Sequence, residues 1–297
     1  MFETGVVQVK LENDVLCVEI SELGAELTRV YDKENDTEIL WNADPKYWKR
    51  HSPILFPNVG KTWENQIHIE GKVYPASAHG FARDTMFTCV EKGANRVTFM
   101  MKSTEETKKV YPYDFELFVA YQLSGKEIQV EWKVQNCMDK TMYFTIGGHP
   151  AFQFAEAGQG KDQYCLKFPG KESLTCTGLD LATGTGLPKE SYAFELKDGF
   201  HELNEEMFSV DTFIFDEGQV EEVWLCKKDG TPYVGVRCPG FLNFGIWSPA
   251  GAPFICLEPW AGRCDDQGFS EDLSEKPGIN MVAGGETFEK TYQIMIA

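Results

Sequence analysis

Residues 115–136 read FELFVAYQLSGKEIQVEWKVQN, and this stretch decides the fold class. Residues 115, 117, 119, 121 and 123 are all apolar and would share one face of an extended chain, and apolar and polar side chains alternate through 128–134. A period of two residues is typical of a strand that buries one face and exposes the other. The segment SGKE between the two halves therefore predicts the turn of a β-hairpin.

Three more stretches repeat this pattern of two alternating segments around a turn. They are QIHIEGKVY (66–74), MFTCVEKGANRVTFMMKS (86–103) and VWLCKKDGTPYVGVRC (223–238). Only DPKYWKRH near residue 45 and GFSEDLSEK near residue 270 suggest short helices. No Pro/Ser-rich linker or repeat divides the chain. Many short strands with regular turns favour one all-β antiparallel sandwich or barrel, which we take as a single domain over residues 1–297.

Composition excludes several classes of partner. The 297 residues include 28 basic and 46 acidic side chains, which gives a formal net charge of −18. The electrostatic field of this negative charge repels phosphate backbones and anionic lipid, so we expect neither nucleic acid nor a membrane as partner. A local basic pocket could still bind a small anion. The longest uncharged run, 238–257, contains three prolines and three glycines and is typical of buried strands rather than a membrane helix.

Cysteine usage indicates the compartment. Nine cysteines are scattered without a C-x-x-C pair, so the sequence contains no disulfide framework and no zinc spacing. The first residues carry early acidic side chains and no long apolar segment, which argues against a signal peptide. Both features predict a cytoplasmic protein.

Two titratable side chains stand in unusually apolar surroundings. His149 is the only group in residues 141–155 that titrates near neutrality, and Glu258 directly follows the uncharged run. Desolvation raises the pKa of a carboxyl group, which makes it a useful base near neutral pH. His79, like His149, is flanked by glycine and lies close to an aromatic residue. The alternatives are structural: core histidines bonded to backbone, and a glutamate that faces solvent or pairs with Arg263.

Other chemistries have weaker support. The sequence contains no G-x-S-x-G, G-x-G-x-x-G or Walker motif. His79, His149 and Glu258 could be three metal ligands, but H-x-H and H-x-x-x-H spacings are absent, so we expect no metal. A pair of isolated titratable groups suits acid/base chemistry better than nucleophilic chemistry.

Several motifs together resemble the aldose 1-epimerase (galactose mutarotase) family, particularly its shorter bacterial LacX-like branch. The motifs are HGFARD (79–84), GGHPAF (147–152), CLEPWAGRCDD (256–266), ELGAELTRVYD (22–32), ILWNADPKYW (39–48), PILFPNVGK (53–61) and GGETFEKTYQI (284–294). This resemblance covers nearly the whole chain. It implies a β-supersandwich, a single antiparallel domain with a long open cleft, and an enzyme that needs no cofactor.

The resemblance also implies roles for individual residues. Glu258 matches the base that takes the proton of the anomeric hydroxyl, and His149 matches the acid that protonates the ring oxygen of a free aldohexose. The two roles reverse when the ring closes on the other face. His79 matches a partner that hydrogen-bonds sugar oxygens. The further sugar contacts that we expect are Lys61, where relatives commonly carry arginine, Asp211, Arg83, Trp260 and Phe81.

Two rival functions remain open. A hexose-6-phosphate 1-epimerase would need a cationic pocket, and a non-catalytic carbohydrate-binding protein would need the cleft without the chemistry. Retention of both His149 and Glu258 argues against the binding protein. Glycoside hydrolysis is weaker because no second acid at a suitable separation is identifiable. Either a monomer or a homodimer is compatible with the sequence. The cations that could form an anion pocket are Lys61, Lys72, Arg83 and Arg263.

Overall fold

The computed structural model describes residues 7–156 and 158–297. Most of these residues lie in or between short β-strands. The strands, in chain order, are β1 (Gln8–Glu12), β2 (Leu16–Ser21), β3 (Leu27–Asp32), β4 (Thr37–Glu38), β5 (Ile54–Leu55), β6 (Gln66–Ile69), β7 (Lys72–Pro75), β8 (Thr88–Lys92), β9 (Arg96–Lys102), β10 (Phe115–Ser124), β11 (Glu127–Asn136), β12 (Met142–Phe144), β13 (Ile146–Gly148), β14 (Ala151–Gln153), β15 (Tyr164–Lys167), β16 (Ser173–Asp180), β17 (Thr185–Glu195), β18 (Phe200–Glu202), β19 (Phe213–Phe215), β20 (Glu222–Lys227), β21 (Pro232–Arg237), β22 (Asn243–Trp247), β23 (Phe254–Ala261), β24 (Asn280–Val282) and β25 (Thr287–Ile296).

Helical structure is confined to single turns in the described part of the chain. One α-helical turn, α1, spans Glu105–Lys108 and begins with a capping box between Thr104 and Thr107. The 3₁₀ turns are Trp63–Asn65, Ala82–Asp84, Lys161–Gln163, Glu206–Val210 and Leu273–Glu275. None of the helices described has the length and apolarity that crossing a bilayer requires.

The central hairpin forms as its alternation predicts. β10 and β11 pair antiparallel from Phe115 opposite Asn136 to Ser124 opposite Glu127, which leaves Gly125 and Lys126 as the turn. The apolar positions of both strands are buried except Phe118, which is half-buried, and most of their polar neighbours keep solvent contact. The other three predicted hairpins are also present as the pairs β6–β7, β8–β9 and β20–β21.

Two large antiparallel sheets carry the fold. The nine-stranded sheet has the order β18-β15-β20-β21-β25-β11-β10-β9-β8, and the eight-stranded sheet runs β17-β16-β19-β22-β23-β13-β5, with β14 also paired to β23. Gly148 of the second sheet lies against Trp132 and Tyr292 of the first, because a Cβ there would come within 3.3 Å of either side chain. The core fills the space between the sheets, so the predicted all-β antiparallel sandwich is confirmed.

Both helix predictions are wrong. Residues 44–51 contain only a turn, in which the carbonyl of Asp44 accepts the N–H groups of Tyr47 and Trp48 at 3.1 Å each. The Trp48 carbonyl then accepts the indole N–H of Trp41 at 2.8 Å. So short a segment has little helix stability of its own, so aromatic packing decides its path. Near residue 270 only the 3₁₀ turn at Leu273–Glu275 forms.

Candidate active site

Strand register brings His149 and Glu258 together. β13 pairs antiparallel with β23, Ile146 opposite Ala261 and Gly147 opposite Trp260. When this register is continued by two residues on each strand, His149 lies directly opposite Glu258. The pairing resumes beyond them with Ala151 opposite Cys256, again in the same register. The two groups are therefore cross-strand neighbours, although 109 positions separate them in the sequence.

The imidazole and the carboxyl group touch at the base of a cleft. Nε2 of His149 lies 3.3 Å from Oε2 of Glu258, and the glutamate side chain is 1% exposed. The indole of Trp48 stacks on the imidazole at 4.7 Å between ring centroids, and Trp247 meets it edge-on at 5.6 Å. Aromatic rings on two sides hold the imidazole in one orientation and exclude water from the contact.

Burial pushes both members of this pair towards their uncharged forms. It raises the pKa of Glu258 well above its usual range; the nearby Trp260 indole partly offsets the shift, and the charge of Asp211 adds to it. Burial likewise lowers the pKa of His149 well below its ordinary value, with His79 and Arg83 acting in the same direction. Desolvation disfavours whichever form of a group is charged, so the two shifts have one cause and opposite signs.

His79 enters the same cleft from a loop. The backbone N–H of His79 donates to the carbonyl of Gly60 at 2.8 Å, and the ring Nδ1 accepts the backbone N–H of Gly60 at 3.2 Å. Because Nδ1 accepts, the neutral ring carries its proton on Nε2. Surrounding protein, reinforced by the charges of Arg83 and Arg50, lowers the pKa of His79 to about 3. The ring, 5.6 Å from that of His149, is therefore a neutral hydrogen-bond donor at physiological pH.

The floor of the cleft depends on two glycines. We call His149, Glu258 and Trp260 the cleft floor. The Trp260 indole lies across β13 and β22, where a Cβ on Gly147 or Gly245 would approach it to 2.5 or 2.3 Å. Real side chains do not tolerate such distances, so only glycine leaves room for this ring beside Glu258.

The walls and mouth of the cleft enclose a cavity of about 300 Å³. Lys61, Leu181 and Asp211, which we call the cleft rim, project from loops around it. Asp211 ends the 3₁₀ turn at Glu206–Val210 with a φ of +68°, and its carboxylate accepts the hydroxyl of Thr212 at 2.8 Å. Leu181 is 62% exposed, a large apolar side chain at the mouth of the cleft.

The predicted site residues separate into those that reach the cleft and those that do not. Phe81 packs instead against the core rings of Phe56, Tyr111 and Phe115 and faces a different cavity. Arg263 is turned away and pairs with Asp216 and Asp266 rather than Glu258. The predicted site residues that do line the cleft are Glu258, His149, His79, Lys61, Arg83, Asp211 and Trp260.

Several polar atoms in this cleft have no hydrogen-bond partner within the protein. Across the described residues seven buried side-chain N or O atoms lack a partner, and four of them belong to cleft residues: Nε of Arg83, Nδ1 of His149, Oε2 of Glu258 and Nε1 of Trp260. Buried polar groups are nearly always hydrogen-bonded in folded proteins. Their concentration here suits a ligand that carries several hydroxyl groups.

A cysteine beneath the pair gives the donor set of a metal site. Donor atoms of His149, Cys256 and Glu258 all lie within 4.8 Å of one another. This trio differs from the one considered on sequence grounds, which contained His79. A divalent ion needs the thiolate and the carboxylate, whereas burial raises the pKa of both Cys256 and Glu258. The surroundings thus favour proton exchange over ion binding.

Sequence reasoning missed the aromatic walls. Trp48 and Trp247 contact His149 directly, and Leu179 and Ile214 also line the cleft. Trp48 lies in the motif ILWNADPKYW, in a segment whose composition predicts a helix. Trp247 lies in the uncharged run, whose composition predicts buried strand. Trp247 and Trp260 lie 11 and 2 positions from Glu258 in the sequence, but no local signal links Trp48 to His149, 101 positions away.

Comparison with known proteins gives one consistent result. The family model for aldose 1-epimerase matches residues 7–266. The protein LacX of Lactococcus lactis subsp. lactis is 33% identical over 296 residues, which covers 97% of this chain and 99% of the relative.

Solved structures agree. A galactose mutarotase related enzyme from Lactobacillus acidophilus superposes with a TM-score of 0.92 at 30% identity, over 98% of this chain and 97% of that one. A galactose mutarotase-like protein from Lactobacillus casei ATCC 334 gives a TM-score of 0.90 at 28% identity, over 98% and 100%.

Proposed function

The chain belongs to the aldose 1-epimerase family, and from that premise we propose that it interconverts the α and β anomers of a free aldohexose, with Glu258 and His149 as the acid/base pair. In this reaction Glu258 takes the proton of the anomeric hydroxyl while His149 protonates the ring oxygen. The ring opens to the aldehyde, C1 rotates, and the ring closes on the other face with the roles exchanged. Only protons move, so no cofactor takes part.

The 3.3 Å contact between the two groups carries this proposal. The anomeric hydroxyl and the ring oxygen of a pyranose are bonded to the same carbon. An acid and a base that serve both oxygens at once must therefore stand within a few ångströms of each other. A geometry in which two groups already meet in the correct place removes much of the entropic cost of assembling them.

The proton count of the pair also supports the proposal. Because burial raises the pKa of Glu258 and lowers that of His149, the pair holds a single proton over a wide pH range. That proton lies either on the carboxyl group or on the imidazole. In either arrangement the protonated group can act as the acid and the other group as the base. Half a turnover, which opens or closes the ring, converts one arrangement into the other. Burial favours the uncharged arrangement with the proton on Glu258, so Glu258 acts as the base only after this proton passes to His149 on sugar binding.

The remaining cleft residues serve to hold the sugar. His79 is a neutral donor through Nε2, Asp211 is a hydroxyl acceptor at the rim, and the Trp260 indole offers both a ring face and an unpaired N–H. Lys61 supplies a point charge rather than the planar fork of an arginine. A cytoplasmic location suits nine cysteines that are all free thiols.

One observation favours a second substrate class. Lys61 and Arg83 both line the cleft, so two of the four cations considered for an anion pocket converge there. Arg83 donates to the carbonyl of Ala78 at 2.7 Å, and its Nε makes no hydrogen bond among the described residues, with Oδ2 of Asp84 at 3.7 Å as its ion-pair partner. A hexose 6-phosphate is therefore the alternative substrate to be compared.

The test is an anomerisation assay by NMR or polarimetry with glucose, galactose and glucose 6-phosphate. We expect the wild-type chain to accelerate a free hexose. Glu258→Gln and His149→Asn should each lower kcat by about 10²–10⁴-fold, because each removes one proton-transfer group. Circular dichroism and thermal unfolding serve as controls for the fold of both variants.

Different outcomes point to different functions. Preference for glucose 6-phosphate would transfer the proposal to the phosphorylated substrate. Measurable binding of sugar with no rate above background would favour a carbohydrate-binding protein. Normal turnover by either folded variant would exclude that residue from the acid/base pair.

A further inference from the structure

Two of the nine cysteines, Cys165 and Cys226, face each other on neighbouring strands. In the sequence, both are distant from the cleft-floor residues. β15 pairs antiparallel with β20, and the register places Cys165 directly opposite Cys226. No other two cysteines are opposed in the strand register of residues 7–156 and 158–297. The sequence does not reveal the pair, because 60 residues separate the two positions.

The two thiols lie on the outer face of the nine-stranded sheet. Their strand neighbours Leu166 and Leu225 point into the core between the sheets, so Cys165 and Cys226 point the other way. Both cysteines are buried, yet neither belongs to a hydrophobic core cluster. Charged residues near the thiols, the exposed Glu202 among them, place the pair just beneath the surface.

Antiparallel pairing brings these residues within reach of a disulfide. Directly opposed residues have Cα atoms about 4.5–5.5 Å apart, inside the range of about 4.4–6.8 Å that disulfides span. Their Cβ atoms are about 4.5–5.5 Å apart, slightly beyond the disulfide optimum. A bond formed there would be strained, and strained disulfides are readily reduced again.

The thiols are electronically unequal. Interaction with the Cys226 thiol lowers the pKa of Cys165, while the same interaction and burial raise the pKa of Cys226. Cys165 is the more exposed of the two thiols, at 4% against 1%, and its lowered pKa favours the thiolate, which is the nucleophile in disulfide exchange. Cys165 is therefore the attacking member and Cys226 the resolving one.

We propose that Cys165 and Cys226 form a reversible redox pair that closes a cross-strand disulfide by exchange with a small-molecule disulfide. The Cys165 thiolate attacks one sulfur of the small disulfide RSSR, which forms a mixed disulfide and releases RS⁻. The Cys226 sulfur, as it loses its proton, then attacks the Cys165 sulfur and releases the second RS⁻. Two protein thiols are oxidised, RSSR is reduced to two RSH, and the two thiol protons end on the released RSH.

The experiment equilibrates the full chain with graded ratios of oxidised to reduced glutathione, alkylates the remaining thiols, and maps the peptides by mass spectrometry. We expect a cross-linked peptide pair that joins Cys165 to Cys226, lighter than the reduced pair by two hydrogen atoms and restored by dithiothreitol. Cys226→Ser should stop the reaction with glutathione attached to Cys165. Cys165→Ser should leave Cys226 unmodified.

The exposed Cys137 provides the matched control. It lacks an opposed cysteine, so it should take up glutathione without forming a cross-link, and Cys137→Ser should not affect the Cys165–Cys226 bond. Neither thiol of the pair lies in the cleft, so the anomerisation rate of the serine variants should equal that of the wild type. An unchanged rate shows that these variants are folded. If Cys137 is fully converted while Cys165 and Cys226 both remain open to alkylation, the proposal is overturned. Accumulation of a stable mixed disulfide at Cys165 in the wild type would overturn it equally.

Discussion

The cleft floor and the cleft rim are built in different ways. The floor residues His149, Glu258 and Trp260 stand on or directly after paired strands and are almost wholly buried. The rim residues Lys61, Leu181 and Asp211 are exposed and project from loops. Both regions face the same cavity, and in the floor burial raises the pKa of Glu258 and lowers that of His149 far from their usual values.

This difference follows from the cost of desolvation. A buried carboxyl group is costly wherever it is held, and a mobile loop would relieve the cost by turning the group towards water. Glu258 cannot turn towards water in this way, because β13 and β22 pair with β23 on both sides and fix its backbone. The rim carries no such cost, because its polar groups remain solvated. We therefore expect substitutions in the floor to act on the fold and the rate, and substitutions in the rim to act mainly on affinity.

The largest effect on the fold should come from Gly245→Ala, which tests whether the floor is as tightly packed as its geometry requires. A methyl group at this position would meet the Trp260 ring at 2.3 Å, so the indole beside Glu258 must move. We expect the free energy of unfolding to fall by about 1–3 kcal/mol, together with a loss of kcat. Urea denaturation and the anomerisation assay measure the two effects.

Gly93→Ala is the matched control for that substitution. A Cβ on Gly93 would find its nearest neighbour at 3.7 Å, an ordinary contact distance. Stability and kcat should both stay close to wild type. Equal behaviour of the two alanine variants would show that the floor repacks freely and that the contrast with the rim is wrong.

A second prediction concerns the pH dependence of stability and follows from the buried carboxyl group. The folded-state pKa of Glu258 is raised above its ordinary value of 4.5. Its contribution to stability is therefore fully present below pH 4.5 and is lost as the pH rises through the raised pKa. Glutamine cannot ionise, so Glu258→Gln should gain stability relative to wild type as the pH increases.

Urea unfolding curves collected from acidic to alkaline pH give this comparison directly. His149, whose pKa is lowered, contributes stability above pH 6.5 that is lost as the pH falls, but this histidine is present in both proteins. The difference between the two curves thus reports the ionisation of Glu258 together with any change that its removal causes in the pKa of His149. Curves that run parallel over the whole range would mean that the carboxyl group is solvated in the folded protein.

The smallest effect is expected at the rim, from Asp211→Asn. Asparagine keeps the size and shape of the aspartate side chain, so the substitution removes only the charge and one acceptor. We expect KM to rise by about 2–10-fold, the equivalent of one hydrogen bond, with kcat nearly unchanged. Asp198→Asn, at an exposed position that also has a positive φ but lies outside the cleft, is the control. A collapse of kcat in the Asp211 variant would assign this rim residue to the chemistry.

Local patterns were sufficient to predict the eight strands of the four hairpins and to single out the two central groups. Alternation predicted four hairpins because each strand buries one face, which leaves a period of two in the sequence. His149 and Glu258 stood out because a titratable side chain in an apolar run must be desolvated or turned away. The same reasoning failed for Phe81: a glycine and a histidine beside an aromatic ring do not indicate on which side of the loop the ring packs.

The sequence thus contained the fold class, the family motifs and the identity of the cleft's ionisable groups, since each is written in neighbouring residues. The contact between His149 and Glu258, the tautomer of His79 and the tryptophan walls required the folded chain. Each of these depends on strand register or on hydrogen bonds between segments distant along the chain, and a register shifted by one residue would move a side chain to the opposite face of the sheet. Such long-range alignment leaves no local trace in the sequence, and it is what converts two isolated groups into a pair that shares one proton.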